Sequence, residues 1–478
     1  MQKTMKVIVI GDPRINRTES EVQEGVQTYL RMSNGCFEVV QPMKEDLMSR
    51  ILSPKNLNHA YKQVMRNYGA SGVDQMECEA LLPYLRKHKD ELIESLYTGK
   101  YKPNPVRRVE IPKNNGKNRL LGIPTVVDRL IQQSISQVLS SIYECQFSDS
   151  SYGFRPKRSA HDALLAVCDH VTDGYRYAVG LDLERFFDTV DHSRLLEILS
   201  RTIKDGRLIS LIHKYLRSGV MVGSNYEPSV EGTPQGGPLS PLLSNILLNE
   251  LDKELERRGH CFVRYADDSL ILCKSKRSAQ RVKESITKFV EHKLHLKVNC
   301  EKTEVGYIRG MKYLGYSFYV TRGKCRLCLH SKTYSKFKRK IKTLTKRSNG
   351  MGYDRRKLIL HQTIRGWMEY FKYADMKTRM LETDEWFRRR LRMCIWKCWK
   401  RVKTRFSNLQ KCGIGKNQAW QWANTRKGYW RIADSPILHR AISTDNLKHS
   451  GYPSLYHYYQ RLHIDCETAV CRTARAVV

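Results

Sequence analysis

The chain has 478 residues, and 41% of them are hydrophobic. That length predicts two to four domains, and the apolar content excludes a disordered chain. Lys and Arg outnumber Asp and Glu by 84 to 48, which gives a formal net charge of +36 and favours a polyanionic partner. Because no run of about 18 apolar residues occurs, we expect a cytoplasmic protein that binds nucleic acid rather than a membrane.

The positive charge is concentrated in one part of the chain. Residues 331–440 hold 30 basic and 7 acidic side chains, a net charge of +23, together with all seven tryptophans. A basic surface with aromatic side chains suits nucleic-acid phosphates and stacked bases. The alternative, which we favour for most of these tryptophans, is a core position beneath a cationic face.

Hydrophobic periodicity and turn residues predict alternating helices and strands before residue 330 and mainly helices from residue 331 onward. In chain order, the first predicted elements are helices over 55–67 and 78–98, a strand over 106–112, a turn at 114–116 leading to a strand around Leu120, and a helix over 125–142. They are followed by a strand over 177–183, a helix that begins at Asp191, a helix over 241–258, and a strand–turn–strand unit over 262–273.

Acidic residues stand where these strands would otherwise be apolar. Asp182 lies near the end of the strand over 177–183, and Asp267 and Asp268 lie in the turn of the later strand–turn–strand unit. Adjacent carboxylates repel each other unless a cation lies between them. A third carboxylate on a neighbouring strand would complete a site for two Mg²⁺ ions, with Mn²⁺ as a substitute, which is the arrangement that two-metal phosphoryl transfer needs. The alternative for an Asp-Asp pair alone is a solvated turn.

Several motifs, in a fixed order, resemble those of group II intron reverse transcriptases. Residues 265–268 (Tyr-Ala-Asp-Asp) match the polymerase hairpin of reverse transcriptases, and Asp182 with Phe186-Phe187 is similar to the acidic strand that precedes it. The other similar segments are residues 107–113 and 121–129 (fingers), 232–245 (the template- and nucleotide-positioning loop), 313–316 (the primer-grip turn) and 388–400 (the maturase or thumb region). Within this family, the chain most resembles the compact bacterial class without an endonuclease domain.

The resemblance implies an α+β fold of the right-hand polymerase type. Fingers and a palm with an antiparallel sheet would occupy residues 48–320, and an α-helical thumb or maturase domain residues 321–405. A basic DNA-binding region would follow over 406–460 and a tail over 461–478. Residues 1–47 match nothing in the family and are interpreted as an extension of uncertain role.

The resemblance also implies site residues. The catalytic residues would be Asp182, Asp267 and Asp268, and these with Leu183 would bind the metal ions. The residues implied in nucleotide binding are Lys113, Arg119, Phe186, Phe187, Gln235 and Lys302, and those implied in RNA or DNA binding are Arg388, Arg389, Arg392, Lys397 and Lys400.

Some of these assignments leave alternatives open. Either Phe186 or Phe187 would exclude ribonucleotides by blocking the 2′-hydroxyl, and either would also suit a core position. Lys113 and Arg119 would clamp the triphosphate or belong to a solvated basic hairpin. Lys302 would donate a proton to pyrophosphate or be an exposed cation. The arginines around residue 390 would bind RNA or form salt bridges within the thumb.

The implied function is RNA-directed DNA synthesis coupled to splicing and mobility of the intron that encodes the protein. The implied partners are group II intron RNA, an RNA template with a DNA primer, target DNA and deoxynucleoside triphosphates, in the bacterial cytoplasm. One alternative is a domesticated, defence-associated or repair-associated reverse transcriptase of the same fold. Another is a splicing cofactor with an inactive palm, against which the intact set of three aspartates argues.

Overall fold

The computed structural model describes residues 46–112 and 118–463, and the backbone alone of residues 29–33 and 36–40. Its strands are β1 (Tyr29–Ser33), β2 (Cys36–Val40), β3 (Val106–Pro112), β4 (Asn118–Ile123), β5 (Tyr177–Leu181), β6 (Val220–Val222), β7 (Asn225–Glu227), β8 (Cys261–Tyr265), β9 (Asp268–Cys273), β10 (Glu304–Tyr307), β11 (Tyr316–Thr321) and β12 (Lys324–Leu329).

The α-helices are α1 (Leu47–Ile51), α2 (Pro54–Asn67), α3 (Leu81–Tyr97), α4 (Val126–Tyr143), α5 (Ala160–Thr172), α6 (His192–Thr202), α7 (Gly206–Leu216), α8 (Ser240–Arg257), α9 (Lys276–Lys293), α10 (Ser331–Leu344), α11 (Tyr353–Tyr370), α12 (Lys377–Cys398), α13 (Val402–Lys411), α14 (Lys416–Ala423), α15 (Tyr429–Ile432), α16 (Pro436–Ala441) and α17 (Thr444–His449). Short 3-10 helices span Cys78–Ala80, Phe186–Asp188 and Ile308–Gly310, and residues 455–463 are also helical.

The α+β class and the predicted helices and strands are confirmed, while the turn predicted at 114–116 lies outside the described residues. One strand is shorter than predicted, because β5 ends at Leu181. Beyond it the backbone leaves the sheet: the Asp182 carbonyl accepts from the Asn299 amide at 2.9 Å, and the Asp182 amide donates to the Thr303 hydroxyl at 3.3 Å. The acidic residue therefore stands just past the end of the strand.

The chain divides into two compact units. The first contains the chain up to Asp149, Glu184–Lys253 and Phe289–Lys297. The second contains Ser150–Leu183, Glu254–Lys288 and the chain from Val298 onward.

The first unit holds a four-stranded sheet in the order β4-β3-β6-β7, in which β3 and β6 are parallel and the other pairs antiparallel. Thr125 is the N-cap residue that precedes helix α4, and its hydroxyl accepts a hydrogen bond from the Asp128 amide at 3.2 Å. The buried Asp128 carboxylate in turn accepts from the Tyr101 hydroxyl at 2.7 Å. The segment over 121–129 that resembles the fingers motif thus anchors α4 in the core of this unit.

The second unit combines an antiparallel sheet in the order β10-β5-β9-β8 with the β11–β12 hairpin and helices α10–α17. A continuous hydrophobic core runs from α5 and the sheet through the hairpin to the C-terminal helices. In the described ranges, no helix is long and apolar enough to cross a membrane.

The tryptophans confirm the interpretation that most of them are core residues. Trp396 and Trp399 are buried, and Trp367, Trp386 and Trp422 pack partly buried against the same core. The two others are exposed, Trp420 at 58% and Trp430 at 40% of their surface.

Candidate active site

Strand register brings the three predicted catalytic aspartates to one end of the sheet in the second unit. Leu181 of β5 lies opposite Ser269 of β9, so the next residue, Asp182, is beside Asp268 at the strand end. Tyr265 of β8 pairs with Asp268 of β9, which leaves Asp267 in the two-residue turn between these strands.

The β8–β9 turn has a constrained backbone. Ala266 adopts a φ of 58°, as the first position of some two-residue hairpin turns requires. The segment over 150–153 lies against this turn, and a Cβ atom on Gly153 would stand 2.3 Å from the Ala266 amide nitrogen. Only glycine permits this close approach, so Gly153 is a residue of the site that the sequence analysis missed.

Arg264 is a second missed residue, and its side chain supports the same turn. It is completely buried, at 0% exposure, and its guanidinium donates to the Ala266 carbonyl at 3.0 Å. Its backbone amide donates to the Ser150 carbonyl, and its carbonyl accepts from the Tyr152 amide, both at 2.9 Å. The available signal was a lone cation within an apolar strand, because such a residue needs buried hydrogen-bond acceptors.

Lys302 lies beside the first aspartate. Its ammonium group donates to a carboxylate oxygen of Asp182 at 2.9 Å. The Lys302 side chain is 65% exposed, so this ion pair contributes little to stability. The structure thus places the Lys302 ammonium group beside Asp182, and its role as a proton donor stays a prediction.

The carboxylates interact electrostatically. The pKa of Asp268 is raised to about 6, mainly because the surrounding protein partly desolvates its carboxylate although the side chain still reaches solvent. Repulsion by Asp267 and Asp182 raises this pKa further, while Lys312 and Lys302 oppose the shift. Mutual repulsion among three carboxylates indicates a site that a bound cation would stabilise.

The carboxylate oxygens at this sheet end suit a Mg²⁺ ion that binds together with a phosphate-bearing substrate. Within the described part of the chain, no three His, Cys, Asp or Glu side chains form a group able to hold a metal ion by themselves. Mg²⁺ is usually bound through one or two carboxylates together with water and substrate phosphates, so an open set fits an ion that binds with substrate. Leu183 has a buried side chain and offers a metal only its backbone carbonyl.

The predicted nucleotide-binding residues of the first unit are described in part. Lys113 lies outside the described residues, as does the side chain of Arg119. Phe186 is 3% exposed, whereas Phe187 is half-buried, and the two rings meet edge-to-face at 5.2 Å. Gln235 is half-buried, and its backbone carbonyl accepts from the Gly122 amide at 2.7 Å.

The basic residues predicted to bind RNA or DNA lie on and after α12. Arg392 is only 4% exposed and donates to the Ile442 carbonyl at 2.9 Å. Arg388 pairs with the buried Asp384 at 3.4 Å, and Arg389 pairs with Asp434 at 2.9 Å.

These three arginines have partners within the protein, but only the Arg388–Asp384 pair is a salt bridge inside residues 321–405, as the alternative interpretation expects. Lys397 is half-buried over the Tyr429 ring at 5.0 Å, while Lys400 is exposed. Of the five residues, Lys400 is the one most open to a nucleic acid, and nucleic-acid binding by the five stays a prediction.

Comparison with known proteins gives two family matches within the chain. Residues 111–318 match the model described as reverse transcriptase (RNA-dependent DNA polymerase). Residues 334–413 match the model described as group II intron, maturase-specific domain. The first match contains the three aspartates, and the second contains the arginines of α12.

Individual relatives agree with these matches. The chain is 33% identical over 358 residues to the group II intron-encoded protein LtrA of Lactococcus lactis subsp. cremoris, covering 61% of this chain and 59% of LtrA. It is 29% identical over 324 residues to the putative COX1/OXI3 intron 2 protein of Saccharomyces cerevisiae, covering 55% of this chain and 37% of that protein. The chain thus spans less than two thirds of the length of either relative.

A shorter relative is matched over most of its length. The chain is 33% identical over 311 residues to protein YkfC of Escherichia coli (strain K12), covering 56% of this chain and 82% of YkfC. Together with the reverse transcriptase and maturase matches in the order that the motifs predicted, this similarity shows that the chain belongs to the family of group II intron reverse transcriptases and maturases.

Proposed function

We propose that the protein is an RNA-directed DNA polymerase encoded by a group II intron, and that it binds its intron RNA to assist splicing and mobility. The observation that carries the polymerase activity is the register of β5, β9 and β8, which gathers Asp182, Asp267 and Asp268 at one sheet end. Membership of the family supports both activities. The proposed partners are intron RNA, a primed RNA template, target DNA and deoxynucleoside triphosphates.

In this proposal Asp182, Asp267 and Asp268 hold two Mg²⁺ ions, for which Mn²⁺ substitutes, with the Leu183 carbonyl as a further ligand. When bound, the ions supply activation of the primer 3′-hydroxyl and charge stabilisation of the leaving pyrophosphate. The chain's own contribution is preorganisation, since buried Arg264 fixes the turn that presents two of the carboxylates. The Lys302 ammonium group donates a proton to the leaving pyrophosphate.

Binding of the deoxynucleotide is assigned to residues whose chemistry suits it. The half-buried Phe187 ring excludes nucleotides that carry a 2′-hydroxyl. The Gln235 side-chain amide forms a hydrogen bond close to the templating base. Lys113 and Arg119 neutralise the triphosphate. The excess of 23 positive charges over residues 331–440 attracts the phosphates of intron RNA and target DNA.

Primer extension tests the polymerase activity. With an RNA template, a DNA primer and deoxynucleotides, the full chain should extend the primer only when Mg²⁺ or Mn²⁺ is present. Asp267→Asn should lower the extension rate by about 100-fold or more, because it removes a carboxylate charge from the proposed metal site. Asp169→Asn, which changes a carboxylate outside this site, is the matched control and should extend normally. Equal extension by the Asp267 variant, with an unchanged melting temperature, would refute the assignment of this site.

A further inference from the structure

Trp420 stands out among the seven tryptophans because 58% of its surface is exposed. It lies on α14, whose inward-facing residues Ala419 and Ala423 are fully buried. The helix therefore holds the indole ring on its outer face. A large aromatic ring held in water on a rigid element is more typical of a binding surface than of a core.

The ring borders a cavity of about 480 Å³ that is also lined by Phe406, Lys416, Asn417 and Gln421. Phe406 comes from the neighbouring helix α13, and its ring stands nearly perpendicular to the indole, at 82° and 5.8 Å between centroids. The cavity thus combines an aromatic platform, two side-chain amides and one ammonium group. An aromatic ring can stack on a nucleic-acid base, amides can form hydrogen bonds with the edge of the base, and an ammonium group can pair with its phosphate.

The surroundings of the cavity carry charge of one sign. Residues 401–431 contain eight Lys or Arg residues and no Asp or Glu. Seven of the eight are exposed, and in the described part of the chain none of the eight forms a salt bridge with a carboxylate. An unpaired cationic surface around an exposed aromatic ring is complementary to a polyanion and not to an apolar or basic peptide.

We propose that this cavity binds an unpaired base of RNA, with Trp420 as the stacking platform, Lys416 on an adjacent phosphate, and Asn417 and Gln421 on the base edge. The inference rests on the proposed function, since intron RNA is the RNA in question. An unpaired base offers a free face for stacking, whereas the bases of duplex DNA are already stacked on each other. Phe406, one wall of the cavity, also lies within the maturase-specific match over 334–413.

Stacking and phosphate contact have separable signatures. Truncation of a stacked platform lowers affinity by about 5- to 100-fold and leaves the salt dependence unchanged. Loss of a phosphate contact reduces the slope of log affinity against log salt by about one unit.

The test measures binding by the full chain to a 5′-fluorescein-labelled 16-nucleotide single-stranded RNA, over a series of salt concentrations. Trp420→Ala should weaken binding by about 10-fold with an unchanged salt slope, and Trp420→Phe should retain most of the affinity. Lys416→Gln should reduce the salt slope by about one unit. Trp430→Ala, which removes an exposed tryptophan of the same basic segment outside this cavity, is the matched control and should bind like the unmodified protein.

Two further arms complete the experiment. Because the proposed contacts are to a base face, a base edge and a phosphate, single-stranded DNA of the same sequence should show a similar loss on Trp420→Ala, and duplex DNA should show none. Tryptophan fluorescence quenching by the RNA should shrink in Trp420→Phe, because the exposed indole is then absent.

An unchanged affinity of Trp420→Ala, an equal loss in Trp430→Ala, or an equal loss on duplex DNA would overturn the proposal. So would a loss accompanied by a lowered melting temperature, if Trp420→Phe does not restore binding. These binding measurements do not involve polymerisation. An inactive polymerase that still shows the Trp420 effect would therefore refute the proposed polymerase activity and leave the RNA site standing.

Discussion

Phe186 and Phe187 are adjacent in the sequence but differ in burial. Phe186 is 3% exposed, and Phe187 is half-buried. We therefore assign the sugar gate to Phe187 and predict that Phe187→Ala lowers the preference for deoxynucleotides over ribonucleotides by about 10-fold or more, because the steric block to the 2′-hydroxyl is removed. The measurement is kcat/KM for a matched dNTP and rNTP pair.

Phe186→Ala serves as the control for this prediction. It should leave sugar selectivity unchanged and lower the free energy of unfolding by about 3 kcal/mol, because it opens a cavity in the core. A folded Phe187→Ala protein with unaltered selectivity would place the gate elsewhere.

The position of the three aspartates near strand ends was predictable from the sequence because its signal is local, while their catalytic role stays a prediction. Asp182, Asp267 and Asp268 stand at the ends of apolar strand segments, and the register of an antiparallel sheet limits where such residues can lie. The choice between the two phenylalanines was not predictable in this way. Burial of Phe186 depends on side chains distant in the sequence, and two adjacent aromatic residues give the same local pattern.

At the scale of elements, the turn between β8 and β9 depends on the segment over 150–153. Gly153→Ala would put a Cβ atom 2.3 Å from the Ala266 amide nitrogen, so the backbone must shift. We predict a decrease in kcat for primer extension of about 10-fold or more, because displacement of about 1 Å at a catalytic group has effects of this size. The apparent affinity for primed template should change by less than about 2-fold, since this is a change in geometry and not in charge.

Gly366→Ala is the matched control for the Gly153 variant. Gly366 lies within α11, and apart from the adjoining residues and backbone of its own helix no atom lies within 4 Å of its added Cβ. Since alanine favours a helix interior more than glycine does, this variant should keep normal kcat and be slightly more stable. Normal kcat in a folded Gly153→Ala protein would show that the turn tolerates the shift.

The arginines of α12 provide a second prediction at this scale. Arg392 is buried and bonded to the Ile442 carbonyl, and burial lowers its pKa. Arg392→Gln should therefore lower the free energy of unfolding by about 2 kcal/mol, the order of magnitude for a buried group left without its partner. The salt slope of RNA binding should stay unchanged.

Lys340 of α10 is exposed and serves as the comparison. Lys340→Gln should reduce the salt slope by about one unit if this residue contacts phosphate, and it should not affect stability. Denaturant unfolding and salt-dependent RNA binding, measured on both variants, check these expectations. A reduced salt slope in a fully stable Arg392→Gln protein would contradict the assignment of Arg392 to the interior.

Elements with strong periodicity were predictable, and contacts between distant segments were not. The helix over 55–67 follows from its apolar spacing and its capping residue Ser53, and the helix over 241–258 follows from its apolar spacing. The contacts between residues 150–153 and the turn between β8 and β9 join segments more than 100 residues apart. No local pattern encodes which backbone approaches a glycine, so Gly153 became visible only in the fold, whereas Arg264 had a local signal as a lone cation within an apolar strand.

At the scale of the whole molecule, the two proposed activities use opposite charges. The proposed metal site consists of carboxylates at one sheet end, and the proposed RNA binding would use cations of the helical part, including the segment over 401–431. Charges of opposite sign in different parts of the chain permit variants that affect one activity at a time.

The double variant Asp267→Asn/Asp268→Asn should therefore lose primer extension and keep intron RNA affinity and splicing support. Removal of two negative charges cannot weaken the attraction of the protein to phosphate, and at low salt it should strengthen it slightly. Trp420→Ala combined with Lys416→Gln should behave in the opposite way, with weaker RNA binding and splicing but normal extension of a short primed template. Splicing and extension assayed in parallel on both double variants, with melting curves to establish folding, measure this separation. If the aspartate variant is folded and binds RNA but does not support splicing, the metal site contributes to splicing and the two activities are not separable in the way the charges imply.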